Sequence, residues 1–192
     1  MYASMTGKTN DTKNEIIQAT IRLISKNGYQ QISLRNLLGS LKLTTGSFYK
    51  HFQNKEDLFR TVTKIVSAKL SNQAERTVIT KNNNPLDALV ALGGFMVQQF
   101  EFQPNLMDFL FFNEGIGDAY HSTGPTNFPL LDYTHQLVGE VASCYPISDS
   151  ENDLFIKIWS FIQGYGILIR HKAVPYDEKL LRKAATELIG VN

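Results

Sequence analysis

One short stretch of the sequence concentrates the side chains that could do chemistry: LTTGSFYKHFQNKEDLF, residues 43–59. Hydroxyl groups, an imidazole and two ammonium groups lie there among aromatic rings. Such groups can serve in catalysis, in metal binding, or as hydrogen-bond donors to the phosphate oxygens of a nucleic acid. The helices that position these groups, and the charge around them, distinguish the three uses.

The charge of the chain is divided unevenly along its length. Residues 1–71 hold eleven Lys/Arg against four Asp/Glu, a net of +7, whereas residues 72–192 hold eight against fourteen, a net of −6. The net charge of the whole chain is only +1. This asymmetry indicates that the two parts have different functions and that residues 1–71 bind a polyanion.

Apolar residues recur at three- and four-residue spacings along most of the chain, and no convincing run of alternating strand residues or internal repeat is present. The sequence therefore predicts an all-α fold of about nine helices. They cover residues 14–27, 34–41, 45–52, 55–71, 85–100, 106–113, 130–145, 151–172 and 177–189, with a loop over residues 115–129. The polar breaker at residues 81–85 predicts a break after the fourth helix.

The second and third helices, joined by a tight turn, describe a helix-turn-helix over about residues 34–53. Ser33 and Thr44 can cap these two helices, and Asn54 can cap the fourth, because their side-chain oxygen atoms accept hydrogen bonds from free backbone amides. Phe48 and Phe52 lie four residues apart and form the apolar side of the third helix. The polar residues around them are left to contact phosphates and base edges. The candidate DNA-binding residues are Ser33, Lys42, Thr44, Thr45, Gly46, Ser47, Tyr49, Lys50, His51 and Lys55.

The run Gly-x-Phe-Tyr-x-His-Phe-x-Asn-Lys-Glu-Asp-Leu, residues 46–58, resembles the recognition-helix signature of the TetR family of transcriptional repressors. Residues 16–29 are similar to the first helix of that family. The resemblance covers roughly residues 12–71 and is weaker beyond them, where Trp159-x-x-x-Gln163-Gly164 resembles a Trp-x-x-x-His-Gly element of some members. It implies a DNA-binding domain over residues 12–71 and an effector-binding and dimerisation domain over residues 72–192. The polar composition of the first residues predicts a flexible tail over residues 1–11.

The turn before the third helix departs from the family pattern. The family usually has Ala-Gly there, whereas this chain has Leu41-Lys42. A positive φ at Lys42 would cost on the order of 1 kcal/mol. We therefore expect the turn to adjust instead, leaving the Lys42 side chain to contact a phosphate.

Nine of the 21 aromatic residues fall within residues 95–133. This enrichment has two interpretations, a phenylalanine-rich helical core or an aromatic-lined pocket for an apolar or aromatic effector, with the loop over residues 115–129 as its portal. The candidate ligand-binding residues are Phe95, Gln99, Phe102, Phe111, Phe112, Asn113, Tyr133, His135, Trp159 and Gln163.

The two C-terminal helices carry apolar stripes that could form an internal core or pair with their copies in a dimer. The resemblance implies a homodimer and favours pairing. The candidate interface residues are Phe155, Ile158, Ile162, Tyr165, Ile169, Leu181, Ala184, Ala185 and Leu188.

The sequence does not favour a metal site, a catalytic site, secretion or a membrane span. Asp118, His121 and His135 match no metal-ligand spacing, and no catalytic pair or phosphate-cradling glycine loop stands out, so neither a metal nor a cofactor is predicted. The first residues lack the apolar segment of a signal peptide and no apolar run is long enough to span a membrane. The single cysteine, Cys144, fits a reducing cytoplasm, and its apolar neighbours predict that it is buried.

These features predict a cytoplasmic, sequence-specific DNA-binding transcription regulator. In the favoured hypothesis it is a repressor that a small apolar or aromatic ligand releases from a palindromic operator in double-stranded DNA. Two alternatives stay open: a DNA-binding regulator or architectural protein without a small-molecule effector, and an all-α enzyme whose aromatic pocket holds a substrate.

Overall fold

A computed structural model describes residues 4–79, 84–113 and 126–191 of the chain. These residues form nine α-helices and one 3-10 turn, Tyr29–Gln31, and none of them lies in a β-strand. The predicted all-α class is therefore confirmed. The helices are α1 (Ser4–Asn27), α2 (Leu34–Ser40), α3 (Thr45–Tyr49), α4 (Lys55–Ile79), α5 (Pro85–Phe102), α6 (Pro104–Phe112), α7 (Pro129–Cys144), α8 (Glu151–Arg170) and α9 (Glu178–Ile189).

The chain divides into two compact units. Unit 1 comprises Met1–Val66 and Asn105–Thr123, and unit 2 comprises Ser67–Pro104 and Gly124–Asn192. The first segment of unit 1 ends at Val66, whereas the predicted domain boundary lies between residues 71 and 72 and leaves the second segment out of the first domain. Because α4 runs without a break through the boundary, the local sequence carries no signal for it.

Unit 1 is built around the apolar faces of its first four helices. Ile16 and Ile24 of α1, Leu37 of α2 and Leu58 of α4 are fully buried. Side chains three and four residues apart share one face of a helix, so each helix contributes a stripe to this core. The arrangement leaves the polar side chains of α2 and α3 outward.

Side-chain caps fix the starts of the short helices. The Ser33 hydroxyl accepts a hydrogen bond from the Asn36 amide at 3.1 Å, and the Thr44 hydroxyl accepts one from the Ser47 amide at 3.2 Å. The Asn54 side chain accepts one from the Asp57 amide at 2.7 Å. All three predicted caps are confirmed, and they fix the residues at which α2, α3 and α4 begin.

Several helix boundaries differ from the sequence prediction, and the end of α4 lies at Ile79 rather than at residue 71. α1 begins at Ser4 rather than near residue 14, so most of the predicted tail over residues 1–11 is helical. Extending an existing helix is much cheaper than nucleating one, so polar residues without an apolar stripe can continue it. α3 ends at Tyr49 rather than Phe52, and a hydrogen-bonded turn follows in which the amides of His51 and Phe52 both donate to the Phe48 carbonyl.

Unit 2 is centred on α5, which packs against α7, α8 and α9. Phe100 and Met96 of α5 and Leu154 of α8 lie in its core and are almost completely buried. The Ser67 hydroxyl accepts a hydrogen bond from the Leu130 amide at 2.9 Å, which joins the C-terminal part of α4 to the start of α7. No described helix is long and apolar enough to cross a bilayer.

Cys144 is exposed, which corrects the expectation that it is buried. The buried stripe of α7 ends at Val141, and Cys144 is the last residue of that helix. Its apolar neighbours in sequence therefore do not surround it in space.

Candidate nucleic-acid interface

α3 is held in the core of unit 1 by two neighbouring phenylalanine rings, Phe48 within the helix and Phe52 just after it. Phe48 is fully buried and Phe52 is 2% exposed, with their ring centroids 5.5 Å apart. The Lys13 ammonium lies 5.5 Å above the centre of the Phe52 ring, within the range of a cation–π interaction. The rotation of α3 about its own axis is fixed by these contacts.

The opposite side of α3 presents polar side chains at the surface. Thr45, Gly46 and Lys50 are exposed, and Tyr49 is 58% exposed even though its ring touches the Phe48 ring edge-on. Ser47 and His51 are half-buried along the edges of the helix. The predicted division of this helix into an inner apolar side and an outer polar side is confirmed.

The remaining candidates flank α3. Ser33, Lys42 and Thr44 are exposed, and Lys55 is half-buried with its ammonium 4.9 Å above the centre of the Phe59 ring. None of the ten candidate residues is buried, so all ten can reach a partner. The sequence analysis did not identify Lys13 as a candidate. Its position just before the apolar stripe of α1, in the basic first part of the chain, could have indicated it.

The turn between α2 and α3 does not adjust in the expected way. Lys42 adopts a φ of 54°, in the left-handed region, so the expectation that it would avoid a positive φ is wrong. The Leu43 amide donates to the Leu38 carbonyl at 2.9 Å and the Lys42 amide to the Gly39 carbonyl at 3.2 Å. These hydrogen bonds close the C-terminus of α2 and require the left-handed residue that glycine supplies in other chains.

α6 is fastened within unit 1 to the end of α1, to the 3-10 turn and to α4, contacts that sequence reasoning missed. The Tyr29 hydroxyl donates a hydrogen bond to the Phe112 carbonyl at 2.7 Å, and the Asn105 amide group donates one to the Ser25 carbonyl at 3.1 Å. The Phe109 ring meets the rings of Tyr29 and Phe59 at centroid distances of 5.9 and 5.2 Å. No local pattern reports pairs of residues some eighty positions apart.

The candidate ligand-binding residues are divided between the two units. Phe111, Phe112 and Asn113 belong to unit 1, whereas the other seven belong to unit 2. In unit 2, Phe102 is 70% exposed at the end of α5, so it lines no enclosed space. The residues over 115–125 of the predicted portal loop lie outside the described residues.

Two of these candidates instead pack into an aromatic cluster. The Trp159 ring meets the rings of Phe128 and Phe155 at 6.1 and 5.7 Å, and the His135 ring stacks on Phe155 at 3.4 Å. Burial lowers the pKa of His135, and the charges of Asp132 and Glu151 oppose that shift. Burial also raises the pKa of Tyr133, with the charges of Glu75 and Glu140 adding to the effect.

The predicted dimer residues mostly form the core of unit 2. Phe155, Ile158, Ile162, Tyr165, Ile169 and Leu181 are all buried within one protomer, whereas Ala184, Ala185 and Leu188 are half-buried. These six side chains pack within the protomer and leave little surface for a partner, and their assignment to a dimer interface stays a prediction. One amphipathic stripe per helix was visible in the sequence, and α5 and α7 already cover it.

α8 carries a second apolar and small-residue face that the sequence analysis did not identify. Ile156 is 51% and Leu168 is 47% exposed, and Ser160 and Gly164 lie exposed between them. The four residues follow each other at four-residue intervals and therefore share one side of the helix. A Cβ atom added at Gly164 would meet nothing within 4 Å, whereas one at Gly166 would overlap the Phe100 ring. We call this surface the outer face of α8.

No group of three or more metal-ligating side chains occurs among the described residues. Asp118 and His121 lie outside them, and His135 is stacked on Phe155.

Residues 16–62 match the family described as "Bacterial regulatory proteins, tetR family". Among curated proteins, none matches the sequence significantly.

Several solved structures share the fold. The structure of RolR in complex with resorcinol has a TM-score of 0.69 at 15% identity, over 97% of this chain and 91% of that one. The transcriptional regulator FadR from Bacillus subtilis, in complex with stearoyl-CoA, has a TM-score of 0.63 at 15% identity, over 93% and 99%. A TetR transcription regulator from Haloarcula marismortui has a TM-score of 0.65 at 15% identity, over 94% and 97%.

Proposed function

We propose that this chain, a DNA-binding transcription regulator of the tetR family of bacterial regulatory proteins, acts as a homodimeric repressor. A small ligand releases it from a palindromic operator. The observation that carries the proposal is the two-sided character of α3. Its inner side is fixed by Phe48 and Phe52, and its outer side exposes Thr45, Tyr49 and Lys50. A short helix built in this way fits the major groove of B-form DNA.

The outer residues divide into two proposed roles. Thr45, Ser47 and Lys50 contact base edges and give sequence preference, because they lie on the first turns of the helix and directly after it. Tyr49, His51 and Lys55, together with Lys42, Thr44 and Ser33, donate to phosphate oxygens and position the helix. Gly46 has no side chain, so the backbone there can approach the DNA closely.

A dimer presents two copies of α3 to half-sites about 34–36 Å apart, one turn of the double helix. We place the interface on the outer face of α8, where Ile156 and Leu168 expose apolar surface to solvent in a single protomer. Ser160 and Gly164 between them let a partner helix approach closely. A twofold axis would place each outer face against its own copy.

The proposed effector is a small apolar or aromatic molecule bound in unit 2. Support comes from the aromatic cluster of Phe128, Phe155 and Trp159, and from the fold itself, since similar structures hold resorcinol or stearoyl-CoA. α4 contributes to both units, so a shift of its C-terminal part would be carried into unit 1. The ligand releases DNA only to the extent that it binds the released state better.

The DNA-binding assignment is tested by selecting operator fragments from a genomic library and measuring their binding across a salt series. We expect the logarithm of the affinity to fall linearly with the logarithm of the salt concentration. Lys55→Ala should weaken binding to all sequences and reduce the salt slope by about one, whereas Lys50→Ala should also relax sequence preference by about 1–3 kcal/mol.

Lys179→Ala, which removes an exposed lysine of α9 in unit 2, is the matched control. If Lys50→Ala and Lys55→Ala both bind like the control, α3 is not the DNA-reading helix. Binding that no ligand of the protein alters would favour a regulator or architectural protein without an effector.

A further inference from the structure

Unit 2 contains a groove of about 200 Å³ that the proposed function does not use. It lies between α5 and the segment that leads into α9. Its lining includes Phe95 and Gln98 from α5, Tyr176 before α9, and Glu178 and Arg182 from α9. Of the residues proposed for the effector, only Phe95 contributes to it, so the groove is a separate site.

Gly94 allows the groove to have its present shape. A Cβ atom at this position would lie 2.7 Å from the Tyr176 hydroxyl oxygen, so any larger residue would displace the Tyr176 ring. The glycine lets the phenol lie directly against the backbone of α5. One wall of the groove is thus an aromatic ring with its hydroxyl group turned toward the helix.

The groove is lined by more negative than positive side chains. Arg182 is engaged by Asp87, whose carboxylate oxygen lies 2.6 Å from its guanidinium nitrogen. Glu178 is exposed and, among the described residues, has no cationic partner. The three charged side chains therefore give the groove a net charge of −1, and the uncompensated charge is that of Glu178.

Two uncharged polar groups also line the groove. The Tyr176 hydroxyl and the Gln98 carboxamide have no hydrogen-bond partner among the described residues. Burial raises the pKa of Tyr176, and the charge of Glu178 raises it further, as expected where the local potential is negative. Both groups offer oxygen atoms that can accept hydrogen bonds.

We propose that this groove binds a small organic cation, in which an ammonium group is attached to an aromatic ring or a short apolar body. The Glu178 carboxylate would be its counter-ion, and the Tyr176 and Gln98 oxygens would accept its N–H hydrogens. The rings of Phe95 and Tyr176 would contact its apolar body, and aromatic faces attract cations. An anion would meet the net negative charge and is disfavoured.

The test uses three probes of one shape and different charge: benzylammonium, benzyl alcohol and benzoate. Isothermal titration of the full chain should give saturable binding for benzylammonium, weaker binding for the alcohol and none for benzoate. Glu178→Gln should weaken benzylammonium binding about fivefold, the effect of losing one partly solvated ion pair. Glu187→Gln, another exposed carboxylate on α9 outside the groove, is the matched control and should bind like the wild type.

Charge reversal makes the test sharper. Glu178→Lys should bind benzoate better than benzylammonium, and this inversion cannot arise from a loss of folding. Equal binding of the two ions by the wild type, no saturable binding of benzylammonium, or an unchanged affinity in Glu178→Gln would each overturn the proposal. DNA binding by the same preparations reports separately on the proposed regulator function.

Discussion

The Tyr29 hydroxyl donates a hydrogen bond to the Phe112 carbonyl at 2.7 Å, across 83 positions of the chain. This bond ties the end of α6 to the 3-10 turn that follows α1. We expect Tyr29→Phe to lower the free energy of unfolding by about 1 kcal/mol, since the ring contacts with Phe59 and Phe109 are retained and only the hydrogen bond is lost. Urea unfolding measures this change.

Tyr145→Phe is the control for this measurement, because the Tyr145 hydroxyl has no hydrogen bond among the described residues. Equal stabilities of the two variants would show that the Tyr29 hydroxyl does not fasten α6.

Lys42 and Lys172 are the two non-glycine residues with positive φ in the described part of the chain, at 54° and 56°. Glycine adopts this conformation without the steric cost that a Cβ atom imposes. Lys42→Gly and Lys172→Gly should therefore each raise the free energy of unfolding, by up to about 1 kcal/mol. Chemical denaturation tests both.

The two variants should differ in DNA binding. Lys42→Gly removes a proposed phosphate contact and should lower the operator affinity, whereas Lys172→Gly lies at the end of α8 in unit 2 and should not. A Lys42→Gly protein that binds DNA like Lys172→Gly would remove Lys42 from the interface.

The outer face of α8 predicts the effect of a large charged residue at its centre. Gly164→Arg should fold normally, because a Cβ atom there meets nothing within 4 Å, but it should dissociate the proposed dimer. Sedimentation measurements give the mass. Gly39→Arg, at another open and exposed helical glycine in unit 1, should stay dimeric. A dimeric Gly164→Arg protein would place the interface elsewhere.

His135 predicts a dependence of stability on pH. Burial against the Phe155 ring lowers its folded-state pKa below the ordinary value of 6.5, so the unfolded chain binds the proton more readily. This contribution to stability is present above pH 6.5 and is lost as the pH falls through the lowered folded pKa. His135→Gln should make the unfolding free energy depend less on pH between pH 6.5 and the lowered folded-state pKa of His135.

Thermal unfolding at several pH values measures this effect, with His171→Gln, at an exposed histidine, as the control. If the slope of stability against pH is the same in both variants, the stacked imidazole does not contribute.

The sequence by itself determined the elements that local physics controls. Caps such as Ser33, Thr44 and Asn54 act on amides two or three residues away, and the Phe48–Phe52 spacing fixes one side of α3, so both could be read from a few neighbouring residues. The helix-turn-helix and its polar surface followed from these patterns and from the excess of positive charge in the first third.

Only the tertiary structure decided which of several compatible partners each apolar stripe meets. The stripe of Phe155, Ile158 and Ile162 suits an internal core and a dimer equally well in sequence, and burial against α5 and α7 made it core. The Tyr29–Phe112 bond and the groove beside Tyr176 likewise depend on residues far apart in the chain. Periodicity shows that a helix has an apolar side, but the identity of the surface that covers it depends on the packing of the whole unit.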